Sequence, residues 1–303
     1  MDIISNVCKT VAEVKVATDK LDKTSLVPIK IDDGGVIKDV DNFRGIYNIS
    51  QGKFCTSVVP HYNLVQHKQY FDGFADALNR LNIPFTMQMK QVGNKAFADI
   101  EFIGRNIKYD KLGEEFTTGI RLINSCDKTT GLHVVPKYTR LACSNGMIIT
   151  RTEKSLSIRH HSKIVTEIER FIELKVNSII NDNNDLKMWV SSSMEDSIEW
   201  DTACKIMAEL FKQIKHREEV LKRLGISVIT VKDKKTKKKN ISYVWDSEDA
   251  KKDKLTRWEL YNAITSYLTH GEHMTPFIEN LFHKQAETLL VTPLIKMPYK
   301  KGL

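Results

Sequence analysis

The first half of the chain alternates apolar and polar residues with the period of a β-strand. Residues 52–60, GKFCTSVVP, are rich in β-branched and aromatic residues and end at a proline, which is typical of a strand. Residues 85–104, FTMQMKQVGNKAFADIEFIG, alternate on both sides of Gly93-Asn94 and so predict a hairpin. A second hairpin is predicted over residues 116–149, with its turn near DKTTG. This half therefore indicates an antiparallel sheet.

Apolar residues recur at helical spacing in four segments, namely residues 67–81, 164–180, 203–225 and 256–271. Asn82 and Pro84 are expected to end the first of these helices. Thr256 and Glu259 form a capping-box pattern at the start of the last one, which stops at a glycine. Only the first of these segments falls within the β-rich half, so the remaining helices belong to the C-terminal half.

These patterns predict an α+β protein. Its antiparallel, β-rich N-terminal half contains one early helix, and its mainly helical C-terminal half carries a basic β-hairpin. The predicted organisation is an N-terminal arm over residues 1–44, a sheet core over residues 45–163 with the helix at 67–81, and a helical region over residues 164–303 with the basic hairpin at 226–245.

Composition places the chain among globular proteins, since 41% of its 303 residues are hydrophobic and 28% are charged. No stretch approaches the ~20 apolar residues of a membrane-spanning helix, so we expect no membrane partner. The first twenty residues lack a basic segment followed by an apolar run, which argues against a secretory signal and favours the cytoplasm of a host cell. Five widely spaced cysteines without a CxxC pair indicate neither disulfides nor a zinc ribbon.

Nearly all of the net charge lies in one short stretch. Residues 222–257 hold twelve Lys/Arg and five Asp/Glu, a net +7, whereas the whole chain carries +8. Such a concentration attracts polyanions, of which nucleic acid is the commonest. The predicted phosphate contacts are Lys232, Lys234, Lys235, Lys237, Lys238 and Lys239. The alternative is a surface loop that only keeps the protein soluble.

A second group of candidate residues surrounds His160-His161. Arg151, Arg159, Lys163 and His160 are predicted to form a second basic strip that contacts nucleic acid. Adjacent histidines on a strand point to opposite faces, so one metal ion cannot easily take both. One histidine of the pair is expected to be buried and hydrogen-bonded. We therefore predict no metal site.

Cys143, in the sequence CSNG, is the candidate for a cysteine nucleophile with His160 or His161. It matches no nucleophile motif, so the simpler interpretation is a strand that ends in an Asn-Gly turn. Phosphate-binding and dinucleotide motifs are missing as well. The sequence therefore predicts no catalytic residue and no cofactor. Phe54, Tyr62, Tyr70, Phe71 and Phe97 are candidates for stacking on unpaired bases, with a core position as the usual alternative.

Four segments carry a family resemblance: YNLVQHKQYFD (62–72), RLACSNGMI (140–148), SIRHHSKIVTEIERFIE (157–173) and LYNAITSYLTHG (260–271). Together they resemble the phage- and plasmid-associated domain-of-unknown-function family 932, over roughly residues 45 to 290. The resemblance implies a mobile-element context but no biochemical activity. The order of strands and helix is also loosely similar to ring-forming single-strand annealing proteins, which is an analogy of fold.

The leading hypothesis is a non-enzymatic protein that binds or anneals single-stranded DNA during recombination or replication of a mobile element. Such proteins assemble as rings or filaments, so we expect a homo-oligomer. A metal-dependent nuclease that uses His160, His161 and distant acidic residues is one alternative. The other is an adaptor or anti-defence protein that does not bind nucleic acid.

Overall fold

The computed structural model divides into two compact units. The first comprises Met1–Lys108, Glu115–Tyr138 and Thr150–Asp182, and the second Tyr109–Glu114, Thr139–Ile149 and Asn183–Leu303. The residues described below are 3–4, 6–109, 113–141, 146–148, 156–158, 160, 173–174, 176–179, 184–232, 239–247, 254–271, 282–283 and 285–289.

Most of the β-structure lies in the first part of the chain. The strands are β1 (Ile3–Ile4), β2 (Thr24–Asp33), β3 (Val36–Asn48), β4 (Lys53–Val58), β5 (Phe85–Val92), β6 (Lys95–Tyr109), β7 (Glu114–Ser125), β8 (Leu132–Arg140), β9 (Gly146–Ile148) and β10 (Leu156–Ile158). Helices α1 (Val11–Thr18) and α2 (His67–Arg80) accompany them. Of the helix predicted over residues 164–180, the described residues 173–174 and 176–179 are helical, and the rest lies outside the described part of the chain.

The larger sheet of the first unit has the strand path β1-β5-β6-β7-β8-β10. Strand β5 alternates buried and more accessible residues along its length, and its buried methionines Met87 and Met89 join the core. Helix α2 buries a continuous stripe that includes Tyr70, Phe74 and Leu78 in the same core cluster. Burial of one face of a strand and one stripe of a helix is what their 2.0 and 3.6 periods predict.

The smaller sheet of this unit has the order β2-β3-β4. Strands β2 and β3 are joined at Gly34 and Gly35, whose φ values are 66° and 90°. A two-residue turn with positive φ at both positions matches the twist of a hairpin, and glycine adopts it without steric cost. The ends of both strands next to this turn are exposed.

The chain also protects one edge of the larger sheet. Ile3 and Ile4 in β1 pair with Gln91 and Lys90 in β5. Further along, Cys8 forms an isolated bridge to Met87, in which each backbone N–H donates to the other residue's carbonyl at 2.8 Å. The N-terminal segment therefore satisfies backbone groups that a free edge strand would present to solvent.

The second unit is mainly helical. Its helices are α3 (Asn184–Glu195), α4 (Trp200–Leu210), α5 (Ile214–Arg223) and α6 (Arg257–His270). Its short strands are β11 (Ser197–Glu199), β12 (Ile226–Lys232), β13 (Lys239–Trp245) and β14 (Lys254–Thr256). Helix α6 is central to this unit, because nine of its 14 residues are buried.

The sequence predictions for these elements are largely confirmed. The fold is α+β, with a β-rich first half and helices mainly in the second. The hairpin at Gly93-Asn94, the helix that begins at His67 and the capping box of Thr256 and Glu259 are all present. In the part of the chain that the structure describes, no helix is long and apolar enough to cross a membrane. The predicted domain boundaries at residues 44 and 163 stay predictions.

One helix differs from its prediction. The apolar period of residues 203–225 continues without interruption, yet the structure has two helices there, with Phe211 extended at φ −118° and ψ 101°. The Arg217 side chain donates to the carbonyls of Phe211 at 2.6 Å and Lys212 at 3.0 Å. These bonds satisfy carbonyl groups at the break, which a continuous helix would have satisfied internally.

Candidate functional site

The predicted basic hairpin is a paired two-stranded ribbon. Strands β12 and β13 are antiparallel with an unbroken register of seven pairs, from Ile226 opposite Trp245 to Lys232 opposite Lys239. The ribbon therefore ends in two opposed lysines. The four remaining predicted contacts lie outside the described residues: Lys234, Lys235, Lys237 and Lys238. For Lys232 and Lys239 the structure describes the backbone.

The base of this ribbon is held in place within the second unit. Ser227 Oγ donates to the Asp246 carboxylate at 2.6 Å, and the N–H of Asp246 donates to the carbonyl of Gly225 at 2.9 Å. Trp245 lies against Trp200 with ring centroids 5.6 Å apart. Gly225 has φ 75°, a conformation that favours glycine and lets the chain turn from α5 into β12. The ribbon is thus attached to a helix that is itself basic at its end.

Most of the second predicted strip lies outside the described residues, namely Arg151, Arg159 and Lys163. His161 and Cys143, the other candidates of this region, lie outside them as well. His160 is described, and its side chain is in the first unit with only 8% exposure. The N–H of Val65 donates to His160 Nδ1 at 3.4 Å, and Tyr62 stacks on the imidazole with a ring separation of 5.4 Å. Burial lowers the pKa of His160 to about 4, so the ring is neutral near pH 7. Its predicted contact with nucleic acid stays a prediction.

A buried cysteine–histidine pair lies in the same unit, but it involves other residues than those predicted. Cys126 Sγ is 3.5 Å from Nε2 of His67, and both side chains are buried. Burial raises the pKa of Cys126 to about 12 and lowers that of His67 to about 4. A catalytic cysteine needs an acidified thiol. Both groups here are instead neutral, which is what a structural contact requires.

Sequence reasoning missed this pair because the two residues are 59 positions apart and neither belongs to a recognised motif. The sequence contains only a weak indication of this contact, namely that both residues lie at the ends of predicted elements. Cys126 immediately follows the buried Ser125 at the end of β7, and His67 begins α2. Only the packing of α2 on the sheet brings them together. Among the described residues, no group of three His, Cys, Asp or Glu side chains is placed to hold a metal ion.

A family model described as a domain of unknown function (DUF932) matches residues 55–289. This chain belongs to the DUF932 family. The match confirms the resemblance drawn from the sequence. No curated protein and no solved structure matches the chain. The matched range includes the whole ribbon and the whole of α6, in which LYNAITSYLTHG occupies all but the first three residues and ends on the glycine cap.

The candidate aromatic residues of this DUF932 protein divide between core and surface. Tyr70, Phe71 and Phe97 are buried, as the core interpretation expects, and are not accessible to bases. Tyr62 is half-buried against His160. Phe54 is 51% exposed on β4 and so remains the candidate for base stacking.

The buried histidines predict a pH dependence of stability. The unfolded chain binds a proton on each histidine near pH 6.5, whereas His67 and His160 in the folded chain do so only near pH 4. The two neutral histidines should therefore make their full contribution to the free energy of unfolding above pH 6.5, and this contribution should fall as the pH decreases towards 4. For His67 the loss by pH 4.5 is about 2–3 kcal/mol.

Urea unfolding followed by circular dichroism at pH 7 and pH 4.5 measures this loss. His67→Gln should lower stability at pH 7 and also reduce the difference between the two pH values. Paired carboxylates lose their contribution mainly below pH 4.5, so they contribute little in this window. A free energy of unfolding that is constant from pH 7 to pH 4.5 would contradict the prediction.

Proposed function

We propose that this protein binds nucleic acid, with single-stranded DNA favoured, and anneals strands during recombination or replication of a phage or plasmid in the host cytoplasm. The observation that carries the proposal is the ribbon of seven residue pairs that ends in opposed lysines. Six lysines occupy the eight positions from Lys232 to Lys239, so the charge excess of the chain is concentrated at the end of this ribbon.

The physical argument is electrostatic. Six like charges in eight residues repel one another unless they are solvated or neutralised by a polyanion. Lysines that bind phosphates release condensed counterions, which favours binding and makes it sensitive to salt. A two-stranded ribbon is also narrow enough to enter the major groove of the duplex that annealing forms.

Annealing is compatible with this arrangement because it needs no cofactor. The pairing of the two strands supplies the free energy, and the protein lowers the repulsion between their phosphates. Exposed aromatic side chains such as Phe54 would stack on unpaired bases. We include assembly into a ring or filament of identical subunits in the proposal, because annealing requires two strands to be held side by side.

The test compares the wild type with a variant in which Lys234, Lys235, Lys237, Lys238 and Lys239 are replaced by serine. Binding of labelled single-stranded and double-stranded DNA is measured by fluorescence anisotropy across a salt series. If about four of these lysines contact phosphates, the slope of log affinity against log salt should flatten by ~3–4 in the variant. Affinity at low salt should fall as well.

A matched control replaces five exposed lysines of the first unit with serine: Lys9, Lys20, Lys23, Lys53 and Lys108. It changes the net charge equally, so it separates local contact from overall charge. Equal flattening in both variants would contradict a contact at the ribbon. Cleaved product that EDTA abolishes would indicate the nuclease instead, and no binding by the wild type at physiological salt would indicate the adaptor.

A further inference from the structure

A pocket of about 540 Å³ lies on the second unit, between helices α5 and α6. The side chains that matter for its chemistry are Lys215, His216, Glu218, Arg223, Tyr267 and His270. Its volume is within the ~300–1,000 Å³ range of small-molecule sites. Three of its residues, Tyr267, His270 and Gly271, belong to the segment LYNAITSYLTHG that carries the family resemblance.

The histidine in this pocket is held in one orientation. His216 Nδ1 forms a hydrogen bond with the Tyr267 hydroxyl. Burial raises the pKa of Tyr267 and lowers that of His216, so the phenol keeps its proton and the imidazole is neutral. In the tautomer in which the phenol donates to Nδ1, the proton of the imidazole is on Nε2. Nε2–H is then available as a donor to a ligand.

Tyr267 is itself fixed by its neighbours. The Arg223 guanidinium lies over the ring at 5.3 Å from its centroid, and Phe211 packs against the ring at an interplanar angle of 82°. Because Tyr267 is only 3% exposed, it cannot contact a ligand with its ring face and acts by orienting His216. We therefore regard Tyr267 as a positioning residue.

The charges of the pocket are unequally neutralised. The Glu219 carboxylate is paired with Lys222 at 2.7 Å and with Arg223 at 3.4 Å. Within the described part of the chain, by contrast, neither Lys215 nor Glu218 forms an ion pair. Lys215 is exposed, and Glu218 is half-buried. The pocket thus offers the Lys215 ammonium and, in that tautomer, the imidazole N–H of His216 to a ligand. The Arg223 guanidinium, whose Nη1 already donates to Glu219, adds positive charge beside them, and the Glu218 carboxylate opposes binding.

We propose that this pocket binds a phosphate monoester. Ammonium and guanidinium groups with an N–H donor are the partners that phosphate oxygens prefer. The shared chemistry has two sources, a free mononucleotide or the terminal phosphate of a strand bound at the ribbon. Binding of a strand's terminal phosphate rests on the proposed function, because it requires a strand bound at the ribbon, into which α5 leads directly. Binding of a free mononucleotide does not depend on the proposed function.

The test uses the full chain and isothermal titration with adenosine monophosphate, deoxyadenosine monophosphate and adenosine. Both monophosphates should bind, and adenosine should not. Lys215→Gln should weaken binding by about tenfold, because it removes a charge-assisted contact. Glu218→Gln should strengthen binding severalfold, because it removes repulsion. His216→Asn should weaken binding, and Tyr267→Phe should do so to a smaller extent.

The opposite signs expected for Lys215→Gln and Glu218→Gln are the decisive result, since loss of folding would weaken binding in both. Equal titration by adenosine and its monophosphates, or no change in either variant, overturns the proposal. Oligonucleotides with and without a 5′- or 3′-phosphate then separate the sources. Tighter binding of phosphorylated strands, retained when the ribbon lysines are serine, indicates the strand end. Binding of mononucleotides without a preference for phosphorylated strands indicates that the ligand is the free nucleotide. That result would stand even if the ribbon bound no DNA.

Discussion

Replacement of Asp99 by asparagine is expected to lower the free energy of unfolding by about 3–5 kcal/mol. The Asp99 carboxylate accepts hydrogen bonds from Arg121 Nε at 2.6 Å and Nη2 at 2.7 Å, and from Lys137 Nζ at 3.1 Å. The side chains of Arg121, Lys137 and Asp99 are only 5%, 13% and 26% exposed. The substitution would leave two poorly solvated cations without this carboxylate, and that cost exceeds the net contribution of the ion pair itself.

The electrostatics of the site agree with this expectation. Burial alone would raise the pKa of Asp99, but Arg121 and Lys137 hold it well below its usual range. The ionised carboxylate therefore stabilises the fold above the unfolded pKa of ~4, and this contribution is lost as the pH falls further.

Urea unfolding at pH 7 measures the change. The matched control is Asp33→Asn, since Asp33 also forms an ion pair, with Lys38, but is 64% exposed. A surface pair contributes ~1 kcal/mol or less, so the control should differ little from the wild type. Similar losses in the two variants would show that burial does not set the cost at Asp99.

Replacement of Gly119 by alanine is expected to lower the free energy of unfolding by about 4 kcal/mol or more, at least as much as Asp99→Asn does. It should also reduce the yield of folded protein. A Cβ at this position of β7 would lie 2.1 Å from the carbonyl oxygen of Ile100, 3.1 Å from its carbonyl carbon and 3.2 Å from Cα of Glu101. These atoms belong to the backbone of β6, so a rotamer change cannot relieve the contact. The two strands would have to separate.

The control is Gly73→Ala in helix α2, where a Cβ meets no atom within 4 Å. Alanine in a helix interior is favoured over glycine by ~0.5–1 kcal/mol, so this variant should be slightly more stable than the wild type. Thermal unfolding of both variants gives the comparison. A Gly119→Ala protein with an unchanged midpoint would contradict the close approach of β6 and β7.

Local sequence patterns were sufficient to predict those structural elements whose physical cause lies within a few residues of the chain. The hairpin at Gly93-Asn94 depends on a turn that glycine favours, and the capping box depends on Thr256 and Glu259, three residues apart. The break after Leu210 has a different cause, because the side chain that satisfies the carbonyls comes from Arg217, in the next helix. A period of 3.6 residues contains no information about that bond.

The candidate sites also divide into those with a local cause, which the sequence predicts, and those that depend on residues distant in the chain. The ribbon was predictable because β-branched runs flank the lysines, and the register confirms both strands. The ion cluster of Asp99, Arg121 and Lys137 was not predictable, since it joins three strands. The pocket of His216 and Tyr267 was missed for a similar reason, as 51 residues separate them. In each case tertiary packing, and not spacing along the chain, makes the contact.

The pairing of the N-terminal segment with β5 has a consequence for self-association. Strand β5 contains Met87, Met89 and Val92, and an open strand of this kind can add a strand from another molecule. Ile3, Ile4 and Cys8 already occupy hydrogen-bonding positions along it. Where they do so, cross-molecular β-augmentation on β5 is blocked. Subunits that join by shared strands must therefore add to a strand other than β5, such as β2 or β4 of the smaller sheet.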